Sequence, residues 1–312
     1  MKRILKHVLS LILFLSNFNN VECQQRNDFN RLINKSVFSY MHNQILYYWK
    51  TFNGDTIKKW NDRHIEISNY PPDFKLDINI DLPTYFNSDY DTYNMRRVLR
   101  RGYVSVRMFD IRLCKDTLMI GFNNISFKTP RRAYITDNQK NFFYKYDNVN
   151  QKWDSLAILS GWWNFNHRRG EFLHNDLYDI YNECLYSYLV SPKYSKYAID
   201  PSVGFYLLLN GMSKDASFLE QRIVDMNCST FLQANAKYRP LRAALRTKKG
   251  FDAVALEDLV LSGDTLKISY AWRNVKLLKR KKLSVDVDTQ SKKTYYYKYS
   301  SEREKWEFIK EE

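Results

Sequence analysis

Two stretches of the chain place apolar residues on one helical face. In NDFNRLINKSVFSYM, Phe29, Leu32, Ile33, Val37, Tyr40 and Met41 recur three or four residues apart, and in NDLYDIYNECLYSYL the same rhythm runs through Leu177, Ile180, Tyr181, Cys184, Leu185, Tyr188 and Leu189. Such spacing predicts two amphipathic helices. Asn27 and Asn175 are read as their N-caps, and Pro192 stops the second. Phe74, Leu76, Ile78 and Ile80 instead alternate with Asp77, Asn79 and Asp81, which predicts a strand with one polar face. A further helix is expected in each half, ending at Gly102 and at Gly250, where glycine readily takes the left-handed C-terminal conformation, with Pro240 in its first turn. Strands follow. YVSVRMFDIRL turns through Lys115-Asp116 into TLMIGF, and a later pair of strands turns through Gly263-Asp264, with glycine at the first central position of a type II′ hairpin. YKYDNVNQKW at 144–153 and YKYSSEREKW at 297–306 predict a last hairpin in each half, with aromatic pairs facing across the strands.

These elements recur because the sequence does. Shifted by 148 residues, 27–40 falls on 175–188 with five identities in fourteen, and 102–122 falls on 250–270 with eight in twenty-one. Leu76-Asp77-Ile78-Asn79 falls on Val224-Asp225-Met226-Asn227 at that same shift, and the last hairpin matches at 153, five residues later. A constant register over separated segments predicts a tandem duplication: one domain at 24–160, a linker at 161–171 and a second domain at 172–312. Each copy reads as helix, strand, helix and about four antiparallel strands, an α+β plan of a helix with a curved antiparallel sheet. That order resembles the cystatin-like and NTF2-like folds, in which a curved sheet wraps a helix, and the resemblance is one of fold alone. The copies diverge at 51–70 and 199–219, where no element is assigned.

The beginning of the chain changes the picture of where it works. Lys2, Arg3 and Lys6 precede a short apolar run at 8–15, well below the roughly 20 residues that span a bilayer. Val21-Glu22-Cys23 then fits cleavage after Cys23, leaving Gln24 first, while Glu22 and Asn20 suit a lipid-attachment site poorly. The expectation is an exported protein, in the periplasm, in the cell envelope or secreted, with no membrane-spanning segment in the mature chain. Removal of 1–23 takes the formal charge from +15 to +13, a field that attracts polyanions or acidic partners. Aromatic residues at 16% and apolar residues at 44% argue for packed domains rather than disorder. Cys114, Cys184 and Cys228 remain after cleavage, an odd number that allows at most one bridge. Asn34, Asn124 and Asn227 head glycosylation sequons.

The chemistry-bearing motifs are few. The chain has no Gly-x-Ser-x-Gly, Ser-x-x-Lys or His-Glu-x-x-His and no Gly-rich phosphate loop ending in Gly-Lys. His167, Glu171 and His174 have helical metal-ligand spacing, but Gly170 interrupts that helix and Arg168-Arg169 oppose a cation, so they are read as polar linker residues. Asp77, Asn79 and Asp81 begin like a calcium loop, yet its glycine position is Leu82. Positive charge gathers before each glycine helix end: Arg96, Arg97, Arg100 and Arg101, then Arg242, Arg246, Lys248 and Lys249, with Lys279-Arg280-Lys281-Lys282 farther on. Cations there complement a helix dipole, and their number points to a polyanion-binding surface as well. Trp162-Trp163 and Tyr295-Tyr296-Tyr297 are the candidates for stacking on sugars. The reading is a non-enzymatic, two-domain binding protein whose partner is a polyanion, a glycan or an acidic protein, with no cofactor or metal assigned. Nucleic acid is disfavoured because no recognition motif is present. The alternative is a hydrolase with a dispersed active site.

Overall fold

The computed structural model describes residues 27–51, 63–67, 84–86, 103–129, 132–160, 174–195, 205–209, 219–226, 228–232, 250–277 and 283–312. The fold is mixed α+β and mostly sheet. Residues before 161 supply helix α1 (Asp28–Thr51) and strands β1 (Arg63–Ile67), β2 (Thr84–Phe86), β3 (Tyr103–Cys114), β4 (Thr117–Thr129), β5 (Arg132–Asp147) and β6 (Lys152–Ser160). Residues after 173 supply α2 (Asp176–Val190), β7 (Phe205–Leu209), the single turn α3 (Gln221–Val224), β8 (Cys228–Leu232), β9 (Gly250–Ser262), β10 (Thr265–Leu277), β11 (Leu283–Val287), β12 (Lys293–Ser300) and β13 (Lys305–Glu311). The first sheet runs β2-β1-β3-β4-β5-β6 and the second β8-β7-β9-β10-β12-β13, with β11 also on β10. Among the described residues, no helix is long and apolar enough to cross a membrane.

The long strands are antiparallel, as their alternation predicts, but neither sheet is wholly antiparallel. β1 runs parallel to β2 and β3, and β7 runs parallel to β8 and β9. β1 and β7 fall in the stretches 51–70 and 199–219, where the sequence match between the halves lapses. RHIEI alternates charge with isoleucine while FYLLL is continuously apolar, so these five-residue strands share no periodicity that sequence comparison can register. In the second half, Val224 ends α3 and a turn follows through Met226, so the alternation read at 74–80 is not carried by the aligned residues. The strand at 74–80, the helices expected before Gly102 and Gly250, the linker at 161–171, Trp162-Trp163 and Lys279-Arg280-Lys281-Lys282 lie outside the described residues.

Each helix buries the face that its sequence marks. Phe29, Leu32, Ile33, Val37, Tyr40 and Met41 of α1, and Leu177, Ile180, Tyr181, Cys184, Leu185, Tyr188 and Leu189 of α2, belong to one hydrophobic core together with residues of both sheets. Equivalent pairs recur across the two units. Tyr40 lies 5.6 Å from Phe122 and Tyr188 lies 6.0 Å from Tyr270, ring centre to ring centre. The Ser36 hydroxyl meets the Tyr144 hydroxyl at 2.8 Å. Cys184 likewise bonds Tyr297, and burial pushes its thiol up to about 12, which keeps it protonated and unreactive. The last hairpins pair Tyr146 with Trp153 and Tyr299 with Trp306 across the strands, 5.4 and 5.7 Å between ring centres. In the first of these turns, Asp147 Oδ1 accepts from the amides of Val149 and Asn150, the local bond that lets aspartate nucleate turns. Tyr295 and Tyr297 are buried core residues, while the intervening Tyr296 is half-buried and donates its hydroxyl to Glu312.

Candidate functional site

Polar groups concentrate in two places: at the seam between the sheets and on the face of each sheet turned away from the helix-packed core.

The seam is built from the two tight turns. Lys115 and Gly263 each take positive φ, 53° and 58°, at the first position of a two-residue connection. A left-handed residue there matches the twist of the flanking strands, and glycine adopts it without steric penalty. Each turn meets the helix start of the other half. Gly263 N–H donates to Asp28 Oδ2 at 2.9 Å, and Lys115 N–H donates to Asp176 Oδ2 at 2.6 Å. Each turn carbonyl accepts an indole from the other half: Trp153 Nε1–H donates to Gly263 O at 3.0 Å and Trp306 Nε1–H to Lys115 O at 2.9 Å. Inside each sheet the next turn residue is held alike, with Tyr146 N–H on Asp116 O and Tyr299 N–H on Asp264 O, both at 2.8 Å. Lys115 Nζ reaches Glu304 of the second half at 2.5 Å. These two-way bonds explain why Asp28, although carboxylate-bearing, is fully buried: Arg31 pairs with one oxygen and the Gly263 amide with the other.

Asn175 stands at the N-cap position of α2, as expected, and its backbone carbonyl accepts from the Tyr178 and Asp179 amides. Its side chain does not cap α2. Its Oδ1 accepts from Leu113 N–H at 3.1 Å and its Nδ2 donates to Ile111 O at 3.2 Å, serving the edge of β3 beyond the part that β1 covers. Asn27 does cap α1, accepting from Phe29 N–H at 3.1 Å. His174 stands beside α2, where Nε2 lies 2.8 Å from Asp176 and 3.0 Å from Asp179. The ligand atoms of these three residues lie within 4.8 Å of one another, the one group of metal-ligating side chains among the described residues. Partial burial raises the Asp179 pKa, His174 opposes the rise, and Asp176 and Glu220 add to it. Contact of both carboxylates with the imidazole Nε2 accounts for the cluster. His167 and Glu171, expected near His174 in sequence, lie outside the described residues, as do Asp77, Asn79 and Asp81. Cys114 and Cys184 form no disulfide, and burial together with Asp176 pushes the Cys114 thiol up.

On the outer faces the sheets carry matching cross-strand rows. In the second sheet Asp258, Ser269 and Thr294 stand side by side on β9, β10 and β12. The Ser269 hydroxyl lies 3.1 Å from Asp258 Oδ2 and 3.0 Å from Thr294 Oγ1, and Lys267 and Lys292 reach Asp258 at 3.2 and 2.7 Å. The row is closed on itself. In the first sheet the row is Asp110, Gly121 and Asn141 on β3, β4 and β5. Asp110 has Arg112 at 2.7 Å, but Gly121 brings no hydroxyl to the centre, and the fully buried Asn141 has no hydrogen-bond partner on Oδ1 or Nδ2 among the described residues.

The two aspartates titrate oppositely. Burial is the largest influence on each. At Asp110 it outweighs Arg112 and raises the pKa above the usual 3.8, whereas at Asp258 the two lysines outweigh it and the pKa falls below that value. A carboxyl with a depressed folded pKa contributes stability above its unfolded value, lost as the pH falls through the folded one. A raised carboxyl contributes below its unfolded value, lost as the pH rises. Asp258→Asn is therefore expected to cost on the order of 1 kcal/mol at pH 7, a penalty that shrinks toward pH 3. The relative stability of Asp110→Asn should instead improve between pH 3 and 7. Urea unfolding at both pH values measures the two slopes, and parallel slopes would contradict the assignment.

The residues marked for polyanion binding, Arg96, Arg97, Arg100, Arg101, Arg242, Arg246, Lys248 and Lys249, lie outside the described residues. What is described is where they lead: 101 precedes β3 by two residues and 249 precedes β9 by one, and these strands hold the same place in their sheets. The rows on the outer faces escape sequence reading because each joins three residues from separate strands, and only the register aligns them. No protein-family model matches this chain, and no curated protein matches it.

Proposed function

We propose that the chain is a tandem duplication of one α+β domain, with a helix laid on a curved sheet in the manner of the cystatin-like and NTF2-like folds, and that it is an exported, non-enzymatic binding protein. The duplication is supported by the common strand order and by the paired bonds of the seam, which repeat at the sequence shifts of 148 and 153 residues. Export and the start of the mature chain at Gln24 rest on the leader pattern, and they place the protein in the periplasm, in the cell envelope or outside the cell. The partner is an anionic surface or polymer, held by two equivalent basic segments.

One observation carries the binding reading: each basic run enters the equivalent strand of its sheet, so the duplicated plan presents the charge twice. Changing Arg96, Arg97, Arg100 and Arg101 to Gln, or Arg242, Arg246, Lys248 and Lys249 to Gln, is expected to lower the salt needed to elute the protein from heparin. The wild-type interaction should fade with salt as the Debye length shortens from about 10 Å at 0.1 M to about 3 Å at 1 M. Equal elution of all three proteins would remove these residues from any binding surface.

A further inference from the structure

The two sheets end on equivalent edges that differ in charge. β6 and β13 each close the last hairpin of their half and, among the described residues, neither has a strand on its far side. They also pair inward alike. Ser155 lies opposite Tyr144 and Ala157 opposite Phe143, with Leu156 bulged between them, and Phe308, the bulged Ile309 and Lys310 stand the same way against Tyr297 and Tyr296. Position for position, Ala157, Ile158 and Leu159 therefore answer to Lys310, Glu311 and Glu312. Charges on an edge strand keep it from pairing with another chain, because pairing would strip them of water. β13 has that protection and β6 does not. Residues 155–160 read SLAILS, and the two charges of β6, Lys152 and Asp154, precede them and contact each other at 3.1 Å. Leu156 and Ile158 are 55% and 47% exposed, large apolar side chains on an edge without charge. The bulge is common to both edges, so charge is what separates them.

We propose that β6 pairs antiparallel with β6 of a second copy of this chain, about a twofold axis through Ala157, so that two first sheets join into one. A twofold contact is self-complementary, and each residue meets the one equally far beyond the axis. With Ala157 on the axis, Leu156 faces Ile158 of the second copy and Ile158 faces its Leu156, which brings the exposed apolar side chains together twice. Asp154 faces Ser160 rather than a like charge. Main-chain hydrogen bonds along the joined edges add the affinity that strand addition always supplies. The other edge explains why association closes at two chains: Lys310 and Glu311 keep β13 from accepting β6, so the contact does not run on into a fibre. The pairing uses none of the basic segments, so its test and the heparin test succeed or fail independently.

The test measures the mass of the full chain by sedimentation velocity from low to high micromolar concentration, beside the double variant Ala157→Lys/Ile158→Glu. That variant gives β6 the residue types that β13 carries at the same positions, so the hairpin should fold, and a far-UV circular dichroism spectrum matching wild type checks it. Wild type should pass from monomer to twice that mass as concentration rises. Because the chain carries a formal charge of +15, added salt should strengthen the dimer, the reverse of its effect on heparin binding. The variant should weaken the dimer about tenfold or more, since it sets a lysine opposite its own copy and buries a glutamate against Leu156. A wild type that stays monomeric throughout, or a variant that associates equally, would overturn the proposal. Ala157→Cys tests the register without relying on the double variant. Mild oxidation should cross-link two copies of it, whereas Val149→Cys, 91% exposed in the turn before β6, should stay single. Equal cross-linking of the two, or none at either, would place the axis elsewhere and overturn the pairing.

Discussion

A chain cut by a protease at a site introduced between 161 and 173 is expected to remain one particle in size-exclusion chromatography. The prediction follows from the seam. Asp28 and Asp176 each accept a backbone N–H from the opposite half, Trp153 and Trp306 each donate to the opposite turn, and the buried core runs through both halves. Hydrogen bonds to a charged group contribute about 1.5–3 kcal/mol each, and loss of the acceptor leaves the turn amide unsatisfied. Replacing both aspartates with Ala should therefore destabilise the intact chain by several kcal/mol and release the halves of the cut one. Replacing both with Asn retains an acceptor and should preserve assembly. Separation of the cut wild type without denaturant would mean that the covalent link, not the seam, holds the units together. The paired, self-complementary form of these contacts is that of an isologous dimer interface, here within one chain.

The second large effect lies in the core. Tyr270 is fully buried on β10, packs edge-on to Tyr181 at 5.5 Å and donates its hydroxyl to the Tyr181 carbonyl at 2.9 Å. Tyr270→Ala removes an aromatic ring from the contact between α2 and the second sheet and is expected to cost about 3–5 kcal/mol. Tyr270→Phe removes only the hydroxyl bond and should cost about 0.5–1.5 kcal/mol. Denaturant midpoints of the two variants give the split. Equal losses would indicate that the hydroxyl, not the ring, is what the core needs at this position. The hydroxyl is not a proton donor in waiting, because burial above all holds its pKa well above the ordinary tyrosine value.

Both helices were legible because a helix declares its buried face within a few turns, and Phe29 to Met41 and Leu177 to Leu189 do so without reference to anything distant. The hairpins were legible for a similar reason: Lys115-Asp116 and Gly263-Asp264 sit between alternating strands, and the turn geometry is a local matter. The parallel strands were not, since RHIEI and FYLLL become strands only by pairing with β3 and β9. The N-cap position of Asn175 was legible but the partner of its side chain was not, because the edge of β3 at Ile111 and Leu113 takes the amide that a cap would use. The incomplete polar row of the first sheet has a faint sequence trace, Gly121 aligned with Ser269, yet that difference has no meaning until register sets Asp110 and Asn141 beside it.

The sequence by itself determined the helical faces, the turns and the charge of the chain, all of which depend on neighbours within a few residues or on composition. Tertiary structure decided which groups meet across long separations, Asp28 with Gly263 and Trp306 with Lys115, and set Asp110 and Asn141 on either side of Gly121. The physical reason is that hydrogen bonds form between atoms about 3 Å apart, and chain distance carries no information on that scale until the strands are in register.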